Sequence, residues 1–150
     1  MRLPVAMLCC GLLTVFGCGS PEDYQKQGKE ADSAVDVAVG LGLPKEYGPW
    51  ARACVGALNA ARQLQLVGDT ASAMRAADSV ITEAERSMDT IPFLDPRSKF
   101  LGLLLTDAYS QSIAWQLERG DTVGARLRTN RYEALAARVH QLSDSVKQLR

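Results

Sequence analysis

Few side chains in this chain of 150 residues are of the types that bind metals or act as nucleophiles. His140 is the only histidine, which excludes sites built on two histidine ligands, such as carboxylate-bridged di-iron centres and the usual hydrolytic zinc sites. No cysteine pair is followed by a histidine, so that motif for covalent haem attachment is also missing. We therefore expect neither a metal nor another cofactor.

The acidic side chains do not suggest a catalytic pair either. Glu83 and Glu85 are close in sequence, but two residues correspond to about 200° of rotation around a helix, so the two carboxylates point to different sides. Arg75, Arg86 and Lys99 lie near enough in sequence to offer ordinary surface pairing. The serines of the helical segments lack the strand-turn-helix context that exposes a nucleophile. These patterns predict a protein that is not an enzyme.

Cys18 is the cysteine with the most informative setting, because it directly follows a short apolar segment. Met1 and Arg2 precede an uncharged, mainly apolar stretch over residues 3–16, and Gly17 separates that stretch from Cys18. The stretch holds about 14 residues, whereas a membrane-spanning helix needs roughly 20. Its length favours the apolar part of a secretory signal over a membrane span.

This arrangement resembles a bacterial lipoprotein signal, with an early cation, a short apolar segment, a glycine before the cysteine and a polar start with proline after it. The resemblance implies that residues 1–17 are removed and that Cys18 carries lipid on its thiol and new amine. Phe16 departs from the pattern, which usually has a small residue there. Gly19 and Ser20 stand where an aspartate would favour the inner membrane, which implies the periplasmic face of the outer membrane in a Gram-negative host. The alternatives are an ordinary cleaved signal and an uncleaved tether.

The charge and thiol content of the mature chain exclude further functions. Removal of residues 1–17 takes out one basic side chain and leaves one more acidic than basic residue, so no positive excess recruits nucleic acid. Two of the four cysteines leave with the signal and Cys18 would carry lipid. Cys54 is then the only thiol, which rules out an internal disulfide. Its place on an apolar helical stripe predicts packing in the core.

The rest of the chain predicts an all-α fold of about five helices. Apolar residues recur at spacings of three and four, and glycine or proline interrupts the pattern where helices should end. The predicted helices run from Ser20-Pro21 to Gly40, from Pro49 to Val67, from Asp69 or Thr70 to a stop at Pro92, from Asp95-Pro96 to Gly120, and from Asp121 to near the last residue.

The last predicted helix has the most regular apolar pattern. Its apolar residues alternate at spacings of three and four, as in the contact line of a coiled coil: Tyr132, Leu135, Val139, Leu142, Val146 and Leu149. Such a long apolar line needs a partner face. Either the other helices of the chain cover it or a second copy of the chain does.

Two short segments of identical type connect the predicted helices. Gly68-Asp69-Thr70 and Gly120-Asp121-Thr122 each have an alanine five residues after the glycine, Ala73 and Ala125. This resembles the central turn of a tetratricopeptide repeat and implies antiparallel helical hairpins. The two turns are farther apart than that family's repeat of about 34 residues, and Ile113 stands where Ala61 supplies the expected small residue. A generic bundle of helical hairpins is the alternative.

A group of arginines lies around the second of these turns. Arg119, Arg126, Arg128 and Arg131 have only one acid, Asp121, among them. On a lipid-tethered protein such a group could contact anionic head groups or an acidic partner. Its ordinary interpretation is a solvated, arginine-rich start of a helix.

Together these patterns predict a lipid-anchored protein of the bacterial cell envelope. The expected organisation is a signal peptide over 1–17, a lipidated N-terminus with a first helix or tether over 18–44, and a helical-hairpin domain over 45–150. We expect the domain to act as a protein-interaction or scaffold module, bound to the membrane through lipid on Cys18. The alternatives are a self-assembling structural lipoprotein, hence a homo-oligomer, and a carrier of an apolar ligand between helices.

The lipoprotein prediction is tested by replacing Cys18 with serine. Wild-type protein is expected to lose residues 1–17 and gain the mass of acyl chains, whereas Cys18→Ser keeps the full precursor mass because the lipid that licenses cleavage has no thiol to bind. Intact-protein mass spectrometry of both membrane extracts measures this. A cleaved, unacylated wild-type chain would instead indicate an ordinary secretory signal.

Overall fold

The structure, a computed structural model, describes residues 21–40 and 42–148. These ranges contain five α-helices, one short 3-10 helix and no strand, so the prediction of an all-α fold with about five helices is confirmed. The predicted signal peptide, Cys18 and Leu149 lie outside the described residues. In chain order the elements are α1 (Pro21–Gly40), the 3-10 helix (Lys45–Tyr47), α2 (Gly48–Leu66), α3 (Thr70–Thr90), α4 (Pro96–Glu118) and α5 (Thr122–Gln148).

The chain divides into two compact units, and the division falls inside α3 between Glu83 and Ala84. In the first unit, α1 packs against α2. Ala38, near the end of α1, is buried, and Asp32 of α1 forms an exposed ion pair of 2.9 Å with Arg52 of α2. Over its second half, α1 is therefore a packed helix of this unit.

The core of the first unit consists mainly of small side chains. Leu58 and Ile81 are its large, fully buried residues, and six alanines of α2 and α3 supply most of the rest: Ala51, Ala60, Ala61, Ala73, Ala76 and Ala77. Cys54 is half-buried at the edge of this core rather than inside it.

In the second unit, α4 packs against α5, and α4 has the widest buried surface. Six apolar residues along α4 are buried: Phe100, Leu101, Leu104, Leu105, Ala108 and Trp115. Tyr109 is buried with them, with an exposed fraction of 1%. By contrast, Ala125 is the only buried residue among the described side chains of α5.

The two Gly-Asp-Thr turns have the same local structure. Gly68 and Gly120 adopt φ values of +84° and +75°, a region that other residues enter only at a cost of about 1–2 kcal/mol. Both turns close the preceding helix with the same two backbone hydrogen bonds: Gly68 N to Gln65 O (3.0 Å) and Asp69 N to Leu64 O (2.9 Å), then Gly120 N to Leu117 O (2.9 Å) and Asp121 N to Gln116 O (2.9 Å).

Each turn also begins the helix that follows it. Asp69 Oδ1 accepts a hydrogen bond from the backbone of Ser72 (3.0 Å), and Asp121 Oδ1 accepts one from the backbone of Gly124 (2.8 Å), so both aspartates are N-caps. The alanines five residues after the glycines are buried, with exposed fractions of 0% and 3%. In both turns the glycine thus provides the positive φ, the aspartate caps the next helix, and the alanine is buried.

Asp95 caps α4 in a more elaborate way. Its Oδ1 accepts hydrogen bonds from the backbone N–H and the Nε of Arg97, both at 2.9 Å, and its Oδ2 accepts one from Nη2 of the same residue at 2.5 Å. The hydrogen bonds from Arg97 hold the pKa of Asp95 below its ordinary value of 3.8, although burial opposes the shift. Ionised Asp95 therefore stabilises the folded state.

This cap makes the stability of the fold depend on pH. A carboxyl with a lowered pKa in the folded state contributes stability above its unfolded pKa, and loses it as the pH falls through the folded value. At pH 7 we expect Asp95→Ala to lower the free energy of unfolding by about 1–2 kcal/mol. Urea unfolding followed by circular dichroism measures this at pH 7 and at decreasing pH.

Asp95→Asn is the matched control, because it keeps a neutral capping oxygen and removes only the titration. The stability difference between wild type and Asp95→Asn is expected to shrink once the pH falls below the ordinary carboxyl range. A difference that stays constant into strong acid would contradict the role of the ionised carboxylate.

Candidate interaction surfaces of the α4–α5 hairpin

In the second unit, side chains from two other helices bind Glu85, which lies near the C-terminal end of α3. Tyr109 of α4 donates its hydroxyl to Glu85 Oε1 at 2.5 Å, and Arg131 of α5 pairs with Glu85 Oε2. The Glu85 side chain is only 18% exposed, so its charge lies largely away from water. One carboxylate therefore binds groups that come from two other helices.

Burial and hydrogen bonding keep the hydroxyl of Tyr109 protonated. Burial is the main cause that raises the pKa of the Tyr109 hydroxyl well above its ordinary value, and the hydrogen bond to Glu85 raises it further. At neutral pH the Tyr109 hydroxyl is therefore protonated and donates to Glu85. This donor role suits a structural contact.

Further side-chain contacts hold the middle of α5. The ring of Tyr132 packs on that of Tyr109 with centroids 5.5 Å apart, and its hydroxyl lies 3.1 Å from Oγ1 of Thr106. Arg138 forms an exposed ion pair of 2.9 Å with Asp89 of α3. An exposed pair of this kind contributes at most about 1 kcal/mol.

The part of the chain that the structure describes covers the apolar line of α5 only in part. We call its described part, Tyr132, Leu135, Val139 and Leu142, the seam. The first three side chains are half-buried, and Leu142 is 44% exposed. The side chain of Val146 and all of Leu149 lie outside the described residues. Of the two partners that the sequence allows, the chain's own helices cover the seam in part.

The four arginines of the predicted contact group lie in different settings. Arg119 is exposed at the C-terminal end of α4, and Arg126 is exposed on α5. Arg128 is half-buried and takes part in another interaction, while Arg131 pairs with Glu85. Arg126 and Arg128 are about 160° apart around the helix axis, so the group does not face one side of α5. Contact of these arginines with a partner or with head groups stays a prediction.

The end of the hairpin exposes large apolar side chains next to two of these arginines. Leu117 is 54% exposed, Val123 70% and Leu127 65%. They lie immediately before the turn at Gly120 or in the first two turns of α5 after it. We call Leu117, Arg119, Val123, Arg126 and Leu127 the tip.

The sequence pattern did not reveal the partners of Glu85. The pattern suggested Arg75, Arg86 or Lys99 because they are near in sequence, whereas the bound groups lie 24 and 46 residues away. The one available signal was Tyr109 itself, because a buried tyrosine adds to the apolar face of α4 a hydroxyl that needs a hydrogen-bond acceptor.

No protein-family model, curated protein or solved structure matches this chain. In the part of the chain that the structure describes, no three or more His, Cys, Asp or Glu side chains are grouped so as to hold a metal ion. The same residues include no helix with both the length and the apolar character needed to cross a bilayer.

The group at Glu85 predicts a specific pattern of stability changes. Tyr109→Phe should lower the free energy of unfolding by about 1.5–3 kcal/mol, because it removes a hydrogen bond to a largely buried charge. Arg131→Gln should cost less, because the side chain of Arg131 is 57% exposed and solvent screens the pair. The double variant should differ from the sum of the single variants, since both groups bind the same carboxylate.

Urea unfolding of the four proteins in this cycle measures the coupling. Arg126→Gln is the matched control, since it removes an exposed arginine one to two turns away on the same helix and should change stability by less than about 0.5 kcal/mol. Additive effects of Tyr109→Phe and Arg131→Gln would contradict a shared contact at Glu85.

Proposed function

We propose that this chain is a lipid-anchored protein of the bacterial cell envelope whose helical domain binds another protein and performs no catalysis. The anchor is lipid on Cys18, and the favoured location is the periplasmic face of the outer membrane in a Gram-negative host. The half-covered seam of α5 is the observation that carries the proposal. A helix with its apolar line partly open to solvent offers a binding groove to a second amphipathic helix.

The geometry of α5 supports this use of the seam. Contacts at Tyr132 and Arg131 hold the helix onto α3 and α4, so the seam belongs to a fixed element. Beyond them, Val139 and Leu142 keep part of their apolar surface in water. A partner helix that covered this surface would gain about 25 cal/mol for each Å² of apolar area removed from water. Such a contact needs no conformational change in α5.

A photocrosslinking amino acid in place of Leu142 tests the proposal in cells. We expect it to capture one recurrent protein, because this position lies on the open part of the seam. The same replacement at Ala137 is the matched control, since that residue is exposed on the other side of α5. Cys18→Ser should abolish capture by removing the chain from the membrane. Identical products at both positions, or none, would contradict binding through the seam.

Charge placed in the seam gives an independent test. Leu142→Glu should abolish recovery of the partner because it buries an unpaired carboxylate in the contact, whereas Ala137→Glu should leave recovery unchanged. Circular dichroism should show equal helix content in both variants. Equal recovery with both variants would show that the partner does not use the seam.

Self-assembly is the second candidate, and the coiled-coil spacing of the seam favours it specifically. In that case the product captured from Leu142 is a second copy of the chain. Sedimentation would then depend on protein concentration, and Leu142→Glu would leave only monomers. A different captured protein, together with concentration-independent sedimentation, would exclude this candidate.

A further inference from the structure

We propose that the tip of the α4–α5 hairpin is a second membrane contact, which binds anionic lipid head groups through Arg119 and Arg126 while its apolar side chains enter the membrane boundary. This inference rests on the proposed lipid anchor, because the anchor holds the tip near a bilayer. It concerns a surface separate from the seam. The domain would thus lie on the membrane at one end and bind protein along α5.

The tip has the side chains that an interfacial contact requires. Three large apolar residues, Leu117, Val123 and Leu127, keep more than half of their surface in water at one end of the hairpin. Isolated exposed apolar residues are ordinary, but a cluster of large ones next to cations is typical of binding surfaces. Arginine suits such a boundary because its aliphatic stem can lie along apolar surface while its charged end stays among head groups.

The charges of the tip are available for an anionic ligand. Among the residues that the structure describes, no carboxylate pairs with Arg119 or Arg126. Asp121 is held by the turn, where it accepts the hydrogen bond from Gly124 and faces the positive end of α5. Glu118 takes part in another interaction. Within the described part of the chain, the two exposed guanidinium groups therefore have no acidic partner.

The other Gly-Asp-Thr turn shows that the turn does not require exposed apolar residues together with unpaired arginines. Leu66 and Val67 are 76% and 75% exposed beside Gly68, so apolar side chains occur there too. However, Arg62 binds Asn59 at 2.5 Å and Arg75 binds Ser72 at 2.8 Å. Val67 and Met74 occupy the positions that correspond to the two arginines of the tip. Among the described residues, only the second turn therefore has arginines without a bonded side-chain partner, Arg119 and Arg126, beside exposed apolar side chains.

A membrane fits the tip better than an acidic protein does. The members of the tip are exposed side chains of a helix end and of the start of the next helix, so they can spread over a fluid surface. Each cation close to an anionic bilayer strengthens binding about fivefold. The lipid anchor raises the local concentration of the tip, so that a weak contact suffices.

A solvent-sensitive fluorescent amino acid in place of Val123 tests the inference. The full chain, made with its signal in a bacterial host and extracted in detergent, is reconstituted into vesicles of phosphatidylcholine, with or without one third phosphatidylglycerol. We expect a blue shift only in the anionic vesicles, and its loss at high salt, which screens the head groups. The same label at Ala137 should remain in water.

Variants then assign the effect to the tip. Arg119→Gln and Arg126→Gln should each lower the ratio of docked to free tip about fivefold. Arg138→Gln is the control, because that arginine already pairs with Asp89, and it should leave the ratio unchanged. A label at Val123 that reports water in both kinds of vesicle would overturn the inference, and so would capture of an acidic protein by the tip without any effect of lipid.

Mass spectrometry of the same sample separates this inference from the proposed function. If Cys18 is acylated and the label stays in water, the tip is not a membrane contact while the anchor stands. If the label docks on anionic vesicles and Cys18 carries no lipid, the tip is a membrane contact and the anchor fails.

Discussion

The second unit depends on one carboxylate that is placed largely out of water. Removing a charged group from water costs several kcal/mol unless hydrogen bonds and an opposite charge compensate it. At Glu85 the hydroxyl of Tyr109 and the guanidinium of Arg131 supply both. Because these groups come from α4 and α5, the compensation is complete only when both helices lie in one arrangement beside the end of α3. The carboxylate therefore selects an arrangement in addition to any stability that it adds.

This arrangement also explains why so much of the surface of α5 is exposed to solvent. α5 is held by contacts at Arg131, Tyr132 and Arg138, and only Ala125 is buried among its described side chains. A helix held by polar and aromatic contacts near its middle does not need its whole apolar line buried against its own chain. Beyond Tyr132 the described residues bury the apolar line only in part, and the proposed binding of a partner rests on this feature.

The sequence predicted the features that depend on neighbours along the chain. The helix limits follow from Gly68 and Gly120 at positive φ and from aspartate caps, and each of these acts within five residues. The contacts of Glu85 could not be predicted in the same way, since its partners lie 24 and 46 residues away and only the folded chain brings them together. For the same reason the sequence treated Arg131 as free to bind a partner, whereas the fold gives it an internal one.

A comparison of the two Gly-Asp-Thr turns distinguishes the residues that the turn geometry requires from the neighbouring residues that it does not determine. Their hydrogen bonds, glycine conformations and buried alanines are alike, so those residues are explained by turn geometry alone. The side chains around the turns differ: the first has its arginines bonded within their own helices, and the second has two that bind nothing in the described chain. Because the same backbone forms with either set, stability of the turn does not account for the cations at the tip. The proposed contact with an anionic surface gives these two cations and their apolar neighbours a use that turn geometry does not supply.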